Sequence, residues 1–145
     1  MAVTKPKKPA LPKNRYAKHS LPQLKKSLTT AFNMWVRLRD TVDGFGNCIS
    51  CGANKPFAEL DAGHFVPSNY TVHRWDVTNV NAQCHRCNRF MHGNLIGYFI
   101  GMEKKYGAEV PRELETTKHT LVKFSRGELE LLIQTFKDRV KELQK

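Results

Sequence analysis

The chain has 145 residues, 40% hydrophobic and 10% aromatic, enough for one domain with a modest core. It holds no apolar run long enough to span a bilayer, and no apolar stretch follows its N-terminal lysines, so a membrane span and a secretory signal are both set aside. The net charge is +11, and residues 1–39 hold ten of the 24 Lys/Arg and none of the 13 Asp/Glu.

That N-terminal excess suits a phosphate backbone, through counterion release, and equally a solvated tail. Residues 1–19, with Pro6, Pro9 and Pro12 among the lysines, read as a flexible basic arm, and residues 20–145 as a single domain. Ser20, with Gln23 three residues on, makes a capping box that opens a helix. Leu21, Leu24, Leu28, Phe32, Trp35, Leu38 and Val42 recur at helical spacing, which predicts a helix of about 20 residues closing near Asp43-Gly44. Its other face carries Lys25, Lys26, Arg37 and Arg39. Residues 45–86 have no helical period, and their Gly, Asn and Pro punctuation predicts short strands and loops, with one strand over 58–65 and an irregular return over 74–80. Helical spacing resumes near Asn88, with Leu95, Ile96, Phe99 and Met102 on one side and Gly107 as the stop; a short helix is expected over 109–117. Ser125 and Glu128 form a second capping box before Leu129, Leu132, Ile133, Phe136, Val140 and Leu143, a last helix with those residues inward.

All four cysteines fall in two Cys-x-x-Cys pairs, Cys48/Cys51 and Cys84/Cys87. Four thiolates satisfy a tetrahedral zinc ion with no open position, and that reading is preferred to disulfides or a redox pair. Such a closed zinc is structural: it does no chemistry and ties the 32 residues between Cys51 and Cys84 to the helix that follows.

Inside that loop stands Asp61-Ala62-Gly63-His64. On a strand, Asp61 and Gly63 share one face and His64 takes the other. Gly63 is expected to leave room for an ion or phosphate, Asp61 to bind a hard cation, and His64 to act as a base toward water; a turn-forming Asp61 and a hydrogen-bonded loop His64 are the plainer alternatives. Asn88 and His92, four residues apart on one predicted helix, could share the same ion, or simply cap the helix and face solvent. Arg74, Arg86, Arg89, Lys25 and Lys26 are candidate phosphate contacts. Asn79 is expected to brace the loop through its side-chain amide.

Taken in order, Cys48-Ile-Ser-Cys-Gly52, Asp61-Ala-Gly-His-Phe65, Asn79, Gln83-Cys84, Cys87-Asn88 and Gly93-Asn94-Leu95 resemble the NinG/Rap recombination proteins of lambdoid phages, and more broadly the HNH, or ββα-metal, nucleases of the endonuclease VII type. The resemblance covers roughly residues 20–116. It implies an α+β fold, mostly helical, with a zinc-clipped ββα-metal core between N- and C-terminal helices. It also implies a Mg²⁺- or Mn²⁺-dependent endonuclease acting on branched DNA such as Holliday junctions, with His64 as the general base and Asn88 as a metal ligand. Many HNH nucleases carry an acid or histidine immediately before the base. This chain has Gly63 there, so the acidic ligand role moves to Asp61.

The expected mechanism places one divalent ion, held by Asp61, Asn88 and His92, on the scissile phosphate while His64 takes a proton from the attacking water. Paired cuts at a junction lead to an expected homodimer joined through the first or last helix. Other phage or host recombination proteins are further expected partners, and the host cell cytoplasm is the expected location. A non-catalytic zinc DNA-binding module and a sequence-specific HNH nicking or homing-type endonuclease are the alternatives.

Overall fold

The computed structural model describes residues 14–145. Its main core is a helix pair. α1 (Leu21–Arg39) starts where Ser20 Oγ accepts from the Gln23 amide and Gln23 Oε1 accepts from the Ser20 amide at 2.7 Å. α4 (Arg126–Leu143) starts from the same reciprocal box between Ser125 and Glu128. Each box satisfies amides that the first turn of a helix leaves unpaired. Leu24, Leu28, Phe32 and Val36 of α1 pack against Leu129, Ile133 and Phe136 of α4, with the rings of Phe32 and Phe136 edge to face at 4.9 Å. Leu21 and Leu143, expected inward, lie exposed at the outer ends of these helices. Most of the apolar face of each helix lies in this core.

One residue of the stretch that reads as a flexible arm is packed into this core. Tyr16 is buried in it, and the Arg126 guanidinium donates to the carbonyl oxygens of Tyr16 and His19 at 2.6 Å each. The remainder of the expected arm, residues 1–13, lies outside the described residues.

α1 stops earlier than its apolar spacing predicts. The β-branched pair Thr41–Val42 forms β1 and folds back on β2 (Phe45–Asn47) through Asp43 and Gly44, both at positive φ, as a two-residue hairpin turn requires. β3 (Asn54–Pro56) completes this small antiparallel sheet. A second sheet pairs β4 (Leu60–His64) with β5 (Val80–Cys84), antiparallel, with Asp61 opposite Gln83 and His64 opposite Val80. The Asp40 carboxylate joins the parts: it accepts from the Ala82 amide at 2.9 Å and from Arg39 and Lys105.

Past Cys84 the expected single helix is broken in two. Residues Arg86–Phe90 form one turn of π-helix, and α2 begins only at Leu95 and ends at Tyr106. Between them His92, Gly93 and Asn94 all have positive φ, which no helix continues through. α2 also buries a different face from the one expected. Tyr98 and Met102 are inside with Val66 and Leu114, the latter from α3 (Glu109–Thr117), whereas Leu95 and Ile96 are 49% and 81% exposed. The reason is Gly97 and Gly101, which lie so close to the carbonyl oxygens of Ser50 and Ile49 that neither has room for a Cβ. The fold is therefore α+β, with about half the chain helical rather than most of it. No helix among the described residues is long and apolar enough to cross a membrane.

Candidate functional site

The two cysteine pairs converge. Cys48 and Cys51 sit on the turn between β2 and β3, closed by the Gly52 amide donating to the Cys48 carbonyl at 2.8 Å, with Gly52 at φ 76. The Ile49 amide donates to the Ala82 carbonyl at 2.9 Å, which ties this turn to β5 and to Cys84 at its end. Four thiolates around zinc, each about 2.3 Å from the metal, stand about 3.8 Å apart. Cys51 Sγ and Cys84 Sγ are 3.8 Å apart, and all four sulfurs lie within 4.8 Å of one another. None is in a disulfide. The four cysteines can therefore hold a zinc ion. Burial pushes the Cys87 thiol up to about 12 and raises Cys48 as well. A bound zinc replaces those protons.

Asp61 and Asn88 meet, as expected. Asn88 Nδ2 donates to Asp61 Oδ2 at 2.9 Å. Two further groups join them. Arg89 donates to both carboxylate oxygens, at 3.0 and 2.8 Å, and His85 Nε2 lies 3.3 Å from Oδ1. Burial would raise the Asp61 carboxyl, but the hydrogen bonds from Arg89 and Asn88 and the nearby charges outweigh that and hold it below the usual carboxylate range. Asn33 and Arg37 of α1 line the same cleft. Between the two cysteines of the second pair, His85 reads in the sequence as a competitor of lower rank, an exposed spacer; what brings it to Asp61 is the pairing of β4 with β5, which puts Cys84 opposite Leu60.

His92 does not join this group. The π-helical turn ends at Phe90, and His92 is exposed beyond it at φ 48, so it does not share a helix face with Asn88. The face at Gly63 is not open either. Gln83 fills it: a Cβ at Gly63 would collide with Gln83 Oε1. Gln83 is fully buried and fixed by donating to Ser50 Oγ at 2.9 Å and to the Gly93 carbonyl at 2.6 Å. Gly63→Ala is therefore expected to lower stability by about 1–3 kcal/mol, and Gln83→Ala to relieve most of that in the double variant. Urea unfolding of the three variants measures both numbers, and an unchanged midpoint for Gly63→Ala would contradict the packing described.

His64 faces away from Asp61. With Leu60 and Ala62 it points toward α1, and its Nε2 is 2.9 Å from the Arg74 carbonyl oxygen. A carbonyl only accepts, so Nε2 carries the proton and Nδ1 is the basic nitrogen. Among the described residues Nδ1 has no hydrogen-bond partner. Burial pushes the imidazole below its ordinary value and the Arg74 charge adds to this, the carbonyl bond offsetting only part. Arg74 shares a groove of about 350 Å³ with Lys25 and Lys26. Asp61 and His64 are about 10 Å apart along the strand and on opposite faces, so they form two half-sites rather than one constellation.

The loop from β4 to β5 is braced as expected. Asn79 is fully buried, accepts from the Val66 amide at 2.8 Å and donates to the carbonyls of Val66 and His73. Tyr98 OH donates to the Gly63 carbonyl at 2.7 Å. His73, adjacent to Arg74, is buried between Asp76 and Thr117 and does not face a phosphate.

Over residues 2–145 the chain matches the family described as Bacteriophage Lambda NinG protein. It is similar to Protein ninG of Escherichia phage 933W, 29% identical over 120 residues that cover 82% of this chain and 57% of that protein. Protein ninG of Escherichia phage lambda is 28% identical over 120 residues, covering 82% and 56%. Protein ninG of Enterobacteria phage H19B is 33% identical over 92 residues, covering 63% and 44%. The chain thus spans little more than half the length of the first of these relatives. No solved structure matches it.

Proposed function

The chain belongs to the NinG family of phage lambda, and from that premise we propose that it is an endonuclease that cuts branched DNA by hydrolysing a phosphodiester, with β4, β5 and α2 acting as an HNH-like ββα-metal element. The observation that carries the reading is His64. Its Nε2–H is fixed on a backbone carbonyl, its Nδ1 is left basic, and its neutral form is favoured by burial beside a lysine- and arginine-lined groove. These are the requirements of a general base that activates water next to a phosphate.

His64 Nδ1 takes the proton of the attacking water. Lys25, Lys26 and Arg74 hold the phosphates on that side, and Arg86 and Arg89 those beside Asp61. Contacts of this kind read backbone shape rather than bases, which suits a branched substrate. A divalent ion, Mg²⁺ or Mn²⁺, would supply charge neutralisation at a phosphate on the Asp61 side. Asp61, Asn88 and His85 offer oxygen and nitrogen donors of the right kind, but Arg89 occupies both Asp61 oxygens and must leave before an ion enters. The proposed protein works as a homodimer in the host cytoplasm.

The test is a substrate panel. The zinc-loaded protein is incubated with a four-way junction, a matched linear duplex and single strands, with and without added Mg²⁺ or Mn²⁺. Cutting confined to the junction and dependent on added divalent ion supports the reading. Equal cutting of all substrates removes the preference for branches, and junction binding with no cutting under any divalent ion makes the protein a binding module.

A further inference from the structure

The turn between the zinc site and α2 presents two apolar side chains to solvent at its tip. Phe90 is 78% exposed and Met91 42%, and two exposed arginines, Arg86 and Arg89, precede them in the same turn, Arg89 paired with Asp61. A scattered exposed apolar residue needs no explanation. This one differs in how firmly its backbone is held. The Met91 amide donates to the Arg86 carbonyl, the Gly93 amide to the Cys87 carbonyl at 2.9 Å, and the Asn94 amide to the Met91 carbonyl at 2.8 Å. Asn94 Nδ2 reaches Cys87 Sγ at 3.4 Å, so the turn is tied directly to a zinc-site cysteine. His92 and Asn94 accept left-handed backbone to make this shape, a conformation that persists only where the surroundings impose it.

We infer that Phe90, with Met91 beside it, is a stacking wedge for unpaired or end-exposed bases at the branch point of DNA, while the exposed Arg86 of the same turn grips a neighbouring phosphate. The charge around the tip decides the occupant: the exposed Arg86 guanidinium in the same turn as an apolar tip complements a base face bordered by phosphates, and a continuous duplex shows no base face to stack on. The wedge gives branched DNA a contact that linear DNA lacks. It rests on the DNA-binding part of the proposed function but not on cleavage.

The experiment measures affinity without added Mg²⁺, for a four-way junction carrying 2-aminopurine at the branch point and for a matched duplex. Phe90→Ala is expected to weaken junction binding about tenfold, to leave duplex affinity and thermal midpoint unchanged, and to abolish the fluorescence change on binding. Phe90→Trp is expected to restore junction affinity. Unchanged junction affinity in Phe90→Ala overturns the inference, as does an equal loss on both substrates. A DNA-free dimer that Phe90→Ala dissociates, seen by sedimentation, also overturns it by making the tip a protein contact. A wedge-dependent binder that never cuts sinks the nuclease reading alone, and a junction nuclease indifferent to Phe90 sinks the wedge alone.

Discussion

Stripping zinc from the loaded protein, or replacing Cys84 with serine, is expected to unfold the region from Cys48 to Asn94 while leaving much of the α1–α4 pair helical. Apart from Trp75 and Val80 in the α1–α4 core and the tie from Ala82 to Asp40, the region has little else to hold it. β1 has two residues and β2 and β3 three each, and the second sheet has only two strands, well below what stands alone in water. The apolar core around Tyr98 and Met102 is small and rests on the knuckle backbone at Ser50 and Ile49. Structural zinc contributes about 10–16 kcal/mol in small zinc peptides, as much as the whole stability of a typical domain. α1 and α4, by contrast, bury their own apolar faces against each other and carry their own caps. Amide hydrogen exchange with and without chelator checks this. Protection should vanish over residues 48–94 and persist in the middle of α1 and α4. Equal protection in both states would mean that the cysteines are not a metal-held scaffold.

His64→Ala is expected to lower the rate of DNA cleavage by about 10²–10⁴-fold, the usual worth of a positioned general base. The pH dependence carries a sign. The His64 imidazole is held below its ordinary value by burial, so it remains neutral, and able to accept a proton, at and below pH 7. Cleavage by the wild type should therefore be flat through neutral pH and fall only as pH drops below about 6.5. That acid limb should be missing from the residual activity of His64→Ala. The same depressed value stabilises the fold at higher pH, because the unfolded chain binds the proton more readily, and that contribution is lost as pH falls through the folded value. Removing the ring also leaves the Arg74 carbonyl without its donor, at a cost of about 1–3 kcal/mol. A melting curve of the variant separates that cost from the chemistry.

The parts that were legible in the sequence are those written in local chemistry. Both capping boxes form where serine and its partner three residues on predict them. The cysteine spacing places four sulfurs together, and Asn79 braces its loop. Where local signals competed, the reading failed. Val42 continues the apolar spacing of α1, yet the turn chemistry of Asp43-Gly44 and two β-branched residues draw the chain into a hairpin. Asn88 and His92 have helical spacing, but the π-helical turn ends at Phe90 and His92 lies beyond it at positive φ. Leu95 and Ile96 look like core and are not, because α2 approaches the zinc knuckle through Gly97 and Gly101, whose contribution is a missing side chain that no apolar count registers. The space at Gly63 was misjudged for the same kind of reason, since what fills it is Gln83 from the neighbouring strand.

The central claim is a division of labour: the cysteines hold the fold, and His64 does the chemistry. It is tested most directly by single-turnover cleavage of a four-way junction, with wild type and His64→Ala side by side and the zinc content of each measured. The account predicts one zinc per chain in both proteins, similar junction affinity, and cleavage by the wild type alone. Equal cleavage rates at equal zinc content would contradict it.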